Sequence, residues 1–148
     1  MNFIKTFEKR NLSLSVAESA TGGSFSSKLT SIPGSSKWFK GSVVVYTNEA
    51  KQELLNIIVN EDAVSERVAS EMAENISSKL STDVSISFTG NAGPNPMEGK
   101  EVGEVFISIF YEGKTETIKY ISDKKERNEI INDFVEQGIN LLNKKFNN

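Results

Sequence analysis

The 148-residue sequence contains no cysteine and no histidine. The first absence excludes disulfides, thiolate nucleophiles and zinc sites built on sulfur. The second excludes every Ser-His-Asp triad, the usual neutral-pH general base and most catalytic metal sites. Acid–base chemistry must therefore come from Asp, Glu, Lys or Tyr. Positive charge is also in short supply, with 17 Lys and Arg against 20 Asp and Glu and a formal net charge of −3. A chain without a broad basic surface is not expected to bind nucleic acid. Long apolar runs are missing too. The longest, "VFISIFY" at Val105–Tyr111, has the length of a strand and falls far short of the ~18 residues of a membrane span. The opening "MNFIKTFEKRN" lacks the apolar stretch and cleavage site of a secretory signal, so a cytoplasmic location away from membranes is expected. No linker, repeat or low-complexity tract interrupts the chain, which reads as one domain over residues 1–148.

What is present alternates between strand and helix patterns. Phe3, Ile4 and Phe7 mark one face of a short helix closing near Asn11, and Leu12–Ala17 reads as a strand. A helix follows Gly23 and runs to about Ser31, ahead of Pro33-Gly34. The apolar run Gly41–Tyr46 predicts a strand buried on both faces, and "NEAKQELLNI" a helix after it. Ser65 is placed to cap a helix whose Val64, Val68, Met72, Ile76 and Leu80 form one stripe. Val84–Phe88 alternates as a strand and ends in a second glycine loop, "TGNAGP". A hairpin turning at Glu112-Gly113 follows. Asp123 and Glu126, in capping-box spacing, open a last helix carrying Ile130, Ile131, Phe134, Val135, Leu141 and Leu142, with "NKKFNN" as a frayed tail. The pattern implies an α/β protein, a three-layer α/β/α single domain with a mixed sheet. In such folds ligands gather beyond the carboxyl ends of the strands. Three of those ends carry polar, turn-rich sequence.

The first is "ESATGG", Glu18–Gly23. If Gly22 and Gly23 open a helix, their amides and that of Thr21 can hold a phosphate or an oxyanion, with Ser19 beside them as a nucleophile. Equally, Thr21 caps the helix and the glycines allow close packing. The second is "YTNEAK", Tyr46–Lys51. With no histidine available, a hydrolase acting through Ser19 would need a base such as Lys51, its pKa lowered from ~10.4 by burial or a neighbouring cation. The alternative is a surface lysine and an edge tyrosine. The third, "TGNAGP", either brings amides of Thr89, Gly90, Ala92 and Gly93 towards an anion or simply needs glycines to turn. Glu18 can balance Lys51, pair with a structural cation or cap backbone amides, and is read as a structural and electrostatic neighbour of the site, outside the catalytic set.

These motifs, with "IPGSSKWFKGSVVVYTNEAK", "VSE" and "TGNAGP…VGEVFISI" in the same order, resemble the C-terminal domain of the CinA competence- and damage-inducible family. The resemblance runs from about Phe3 to the last helix and suggests the family's stand-alone form. It implies a serine amidohydrolase that converts nicotinamide mononucleotide to nicotinic acid mononucleotide and ammonia, with no metal or other cofactor expected. Ser19 would be the nucleophile, Lys51 its base, and Tyr46 an orienting or proton-passing group. Ser36 of "GSS" and Asn48 of "YTNEAK" match further site positions. Thr21, Gly22, Gly23, Thr89, Gly90, Ala92 and Gly93 would supply the oxyanion and phosphate cradles, with Lys124 and Arg127 near the phosphate. The partner implied is a small-molecule nucleotide, and a homo-oligomer, most simply a dimer, is expected.

The sequence also departs from the family pattern. Ala20 stands where cysteine is common, Asn95-Pro96-Met97 replaces Asp-Gly-Gly, and Ser122-Asp123-Lys124 replaces Gly-Asp-Arg. A lysine there keeps the charge but loses the bidentate fork of arginine. Two other readings follow. One is a nucleotide-binding or regulatory module tied to competence or DNA damage, with little or no turnover. The other is an amidase for a different small amide.

Overall fold

A computed structural model describes residues 1–147. The chain runs α1 (Phe3–Arg10), β1 (Leu14–Glu18), α2 (Ser24–Thr30), a 3-10 turn (Ser35–Lys37), β2 (Phe39–Val44), α3 (Asn48–Leu55), α4 (Glu66–Leu80), β3 (Val84–Gly90), β4 (Glu104–Tyr111), β5 (Lys114–Ile121) and α5 (Arg127–Lys145). The five strands form one sheet in the order β2-β1-β3-β4-β5. β1 lies parallel to β2 and β3, whereas β3, β4 and β5 are antiparallel, so the sheet is mixed as expected.

Each face of the sheet is covered. On one side Val16, Ile86, Phe88 and Ile107 meet Phe3, Phe7, Phe25 and Phe134 from α1, α2 and α5. On the other, Ala17 and Val45 meet Leu55 from α3 and Val68, Met72 and Ile76 from α4. The predicted α4 stripe is thus its buried face, and Ser65 caps it by accepting from the Val68 amide. Among the described residues, no helix is long and apolar enough to cross a membrane.

Several expectations change. β2 begins at Phe39 and alternates between half-buried and exposed positions, because it is an edge strand rather than a central one. The strands buried on both faces are the inner ones, and they include β3, whose serines suggested a polar side. Ser85 and Ser87 are fully buried and donate to the Ala73 and Ala69 carbonyls of α4 at 2.5 and 2.6 Å. Small hydroxyls let that helix approach, and each satisfies its own polarity. The capping box at Asp123 does not form. α5 starts at Arg127 with Glu126 as N-cap and no side-chain cap bond. Ser122 instead donates to Asp133 at 2.5 Å and accepts from the Lys124 amide at 3.2 Å. Nor is the tail frayed through its length. Helix α5 continues to Lys145, and Phe146 is buried against Phe7 and Tyr111 with ring centroids 5.0 and 5.1 Å away. Asn148, the end of that tail, lies outside the described residues.

Candidate active site

β1 and β3 run side by side through the core, and both end at the same edge. β1 delivers Ser19 immediately after Glu18, with its amide bonded to the Phe88 carbonyl of β3 at 3.0 Å. β2 ends in the same direction, and two residues beyond it stands Tyr46. Thr47 then caps α3 by accepting from the Ala50 amide at 3.0 Å. That start places Lys51 on the first turn, facing the sheet, where 2 % of it remains exposed. Its ammonium nitrogen lies 3.0 Å from Ser19 Oγ and 3.5 Å from the Tyr46 carbonyl. Burial lowers the Lys51 pKa from the ordinary lysine range, and the negative charge of Glu98 partly opposes that shift. Ser19, 7 % exposed, thus touches a lysine that gives up its proton more readily than a solvated one, which is the arrangement a nucleophile and base require.

A cavity of about 310 Å³ opens beside this pair. Ser19, Tyr46, Asn48, Lys51, Thr89, Gly90, Ala92 and Arg127 line it, so eight of the predicted residues meet there. Arg127 donates to the Tyr46 hydroxyl at 2.9 Å and to the Gly93 carbonyl, and so spans the wall between the "YTNEAK" and "TGNAGP" loops. The Thr89 hydroxyl is already committed to the Ala63 carbonyl at 2.5 Å. Gly90 is required by space alone, since a Cβ would come within 2.6 Å of the Glu104 carbonyl oxygen.

Other predicted residues lie differently. The α2 N-terminus is occupied from within: Glu18 accepts from the amides of Gly23, Phe25 and Ser26 at 3.0–3.2 Å and from the Ser26 hydroxyl at 2.5 Å. The Gly22 amide bonds the Ser19 carbonyl at 3.1 Å. Both glycine amides are therefore spent on the turn and offer nothing to an anion. Their positive φ angles, 58° and 101°, explain why glycines stand there. Among the described residues the amides of Ala20 and Thr21 have no acceptor, and they follow Ser19 directly. The Thr21 hydroxyl is buried and unpartnered rather than a cap.

Ser36 is exposed in the 3-10 turn that precedes β2, at the amino end of the strands. Leu14, at the start of β1, pairs beside it through Trp38, so a strand length separates Ser36 from Ser19. Gly93 stays outside the cavity and serves the loop, its amide bonded to Asn91 Oδ1 at 2.9 Å. Lys124 lies apart, exposed and 3.6 Å from Asp123, over a depression beside α5. The Tyr46 hydroxyl serves Arg127, and it is the Tyr46 carbonyl that approaches Lys51.

Sequence reasoning missed Ala20, Thr47, Ala63, Val64 and Asn91 as lining residues, and met Met97 only as a departure. Asn91 carried a signal, since it sits between Gly90 and Ala92 and ties the loop by donating to the Asn95 carbonyl at 2.9 Å. Ala63 and Val64 carried none, because only the packing of the α3–α4 connection brings them in.

The profile of the family described as CinA C-terminal domain matches residues 1–146. Among curated proteins, one named as a competence-damage inducible protein of Listeria monocytogenes serotype 4a (strain HCC23) is 39% identical over 139 residues, 90% of this chain and 33% of that protein. Another so named, from Geobacillus sp. (strain WCH70), is 44% identical over 110 residues, 72% of this chain and 26% of that protein. The chain thus spans about a third or less of the length of these relatives. Among solved structures, the competence damage-inducible protein A of Klebsiella pneumoniae subsp. pneumoniae MGH 78578 superposes with a TM-score of 0.93 at 26% identity, covering 97% of this chain and 92% of that one. The competence/damage inducible protein CihA of Agrobacterium tumefaciens gives 0.88 at 30% identity, over 95% and 88%.

Proposed function

This chain belongs to the CinA C-terminal domain family, and on that premise we propose that it is a serine amidohydrolase that deamidates nicotinamide mononucleotide. The observation that carries the reading is the 3.0 Å contact between a buried Lys51 and Ser19 Oγ at the floor of a pocket. A binding module has no use for a desolvated lysine against a serine hydroxyl, and a charged lysine there would cost stability.

The chemistry follows from the atoms. The pyridinium ring of the substrate withdraws electrons from its carboxamide and opens the carbonyl carbon to attack. Neutral Lys51 accepts the Ser19 proton as Oγ bonds that carbon. The Ala20 and Thr21 amides receive the developing oxyanion; one such donor is typically worth ~2.7–4 kcal/mol of barrier. Lys51 then returns the proton to the leaving nitrogen, ammonia departs, and an ester on Ser19 remains. Water, deprotonated by the same lysine, hydrolyses that ester to the carboxylate and regenerates Ser19. Arg127 fits the 5′-phosphate: its side chain reaches the pocket and its neighbours, a phenol and a carbonyl, leave its charge uncancelled. Lys124 is not part of this site.

A substrate panel tests the proposal. Ammonia release should be fast with nicotinamide mononucleotide, weaker with the riboside that lacks phosphate, and lowest with free nicotinamide, whose ring is neutral. Equal release from all three, or release from none, would contradict it.

A further inference from the structure

The loop between β3 and β4 is more ordered than its turn-rich sequence suggests. Its base is closed by the Asn91 amide on the Glu104 carbonyl at 2.8 Å and the Gly103 amide on the Asn91 carbonyl at 2.7 Å. Its tip is a two-residue hairpin: the Lys100 amide donates to the Met97 carbonyl at 2.7 Å, with Glu98 and Gly99 at φ 51° and 73°. That turn presents the Glu98 carboxylate to the α3–α4 connection, where Oε2 accepts from the Ala63 amide at 2.8 Å. Ala63 and Met97 both line the pocket, so the carboxylate stands at its rim.

The charges around it are uneven. Both ionisable cations that line the pocket, Lys51 and Arg127, come from α3 and α5. Glu18, beneath Ser19, is committed to the amides of α2. Glu104 is held by Lys119 at 2.9 Å on the outer strands. The second oxygen of Glu104 is unpartnered but buried, whereas Glu98 is an exposed acid bonded to a lining residue, and its field already reaches the Lys51 ammonium.

We infer that Glu98 is a specificity-determining residue: latched to Ala63, it fixes the mouth of the pocket and favours a substrate whose ring is cationic over a neutral isostere. This deepens the amidase reading, on which it depends for the identity of the probe. Glu98 follows directly on Asn95-Pro96-Met97, where this chain departs from the family pattern, and no part of the Ser19–Lys51 chemistry needs it.

The test separates charge from latch. Oxidised and reduced nicotinamide mononucleotide share phosphate and carboxamide but differ in ring charge. Their dissociation constants would be measured by calorimetry on the Ser19→Ala protein, which cannot turn over, and on the same protein carrying Glu98→Gln or Glu98→Ala. The oxidised form should bind about tenfold more tightly, a preference that fades with rising salt as an electrostatic one must. Glu98→Gln, which keeps an acceptor for the Ala63 amide, should bring the ratio close to one. Glu98→Ala should in addition weaken both forms by loosening the loop. A ratio unchanged by Glu98→Gln, no preference at the outset, or no binding of either form would overturn the inference. If the ratio behaves as expected but the wild type releases no ammonia, the amidase reading falls and the role of Glu98 stands. If ammonia is released but the ratio does not change, the amidase reading stands and the role of Glu98 falls.

Discussion

At the scale of single residues, Lys51 is where function and stability oppose each other. A lysine lowered by burial favours its neutral form in the folded state, while the unfolded chain binds a proton up to the ordinary value of ~10.4. Below the folded pKa both states are protonated and the buried charge costs stability. Stability therefore rises as pH climbs between the folded and unfolded values. Lys51→Met removes that cost, so it should raise the melting temperature at neutral pH while abolishing turnover, and the gain should shrink as pH rises from the folded value towards ~10.4 and vanish above it. Thermal melts at several pH values would check it. The wild-type rate should also climb with pH along a limb whose midpoint lies below the ordinary lysine value. The pairing of Ser19 with Lys51 came from the family resemblance. The lack of histidine and cysteine agrees with it, but either motif alone reads equally as a helix cap or a surface lysine, and the 3.0 Å contact is what the structure adds. The part played by Tyr46 was not legible: identity predicts a hydroxyl contact, but the chain path puts its carbonyl beside Lys51 and turns the ring towards Arg127. Lys124 was misplaced for a similar reason. Its charge suits a phosphate, yet Ser122 pins the loop to Asp133 and leaves Lys124 in solvent.

At the scale of elements, the turn from β1 into α2 decides where Ser19 points. α2 has only seven residues and cannot stand on propensity alone. Glu18, fully buried, satisfies the amides that its first turn leaves open, and the two glycines make the bend that lets it reach back. Glu18→Ala would leave those donors unpaired and should cost about 1–3 kcal/mol, read as a lower urea midpoint, with Glu18→Gln recovering part of it. The opposite face of the same turn is set by α5. Gly138 packs where a Cβ would come within 2.7 Å of Phe88 Cε1 and 3.0 Å of Phe25 Cε2. Gly138→Ala gains ~1 kcal/mol of helix propensity, but overpacking should outweigh it by about 1–3 kcal/mol. Because Phe88 holds the Ser19 amide, the variant should lose activity as well as stability. The sequence marked Gly22 and Gly23 as special but suggested a site for an external anion. The carboxylate that fills it is that of Glu18, for which capping backbone amides was one of the readings open from the sequence.

At the scale of the whole molecule, helix and strand order, the mixed sheet and the apolar faces could be read from periodicity, because each element buries a regular stripe. The position of each strand in the sheet could not. β2 looked central from its apolar run, and only the order β2-β1-β3-β4-β5 makes it an edge and moves Ser36 to the far end. That order also brings β1 and β3 together and builds the pocket between chain segments far apart in sequence. The charges of the whole fold make its pH dependence two-sided. Asp62 is held low chiefly by its bonds to Arg67. Asp133, although burial alone would raise it, is brought low by the hydroxyls of Ser122 and Tyr120. Carboxyls lowered in the fold contribute stability above their unfolded pKa of ~3.9 and lose it as pH falls through the folded values. Urea midpoints should therefore drop in acid. On the alkaline side Lys51 adds stability while the raised pKa values of Tyr111, Lys119 and Tyr120 act against it, so the Lys51 contribution is read from the difference between the wild type and Lys51→Met. The most direct test is catalytic: ammonia release from nicotinamide mononucleotide by the wild type, Ser19→Ala and Lys51→Met, each shown to bind the nucleotide. Release by the wild type alone is the predicted result. Undiminished release by either variant would contradict the serine–lysine pair at the centre of the proposed mechanism.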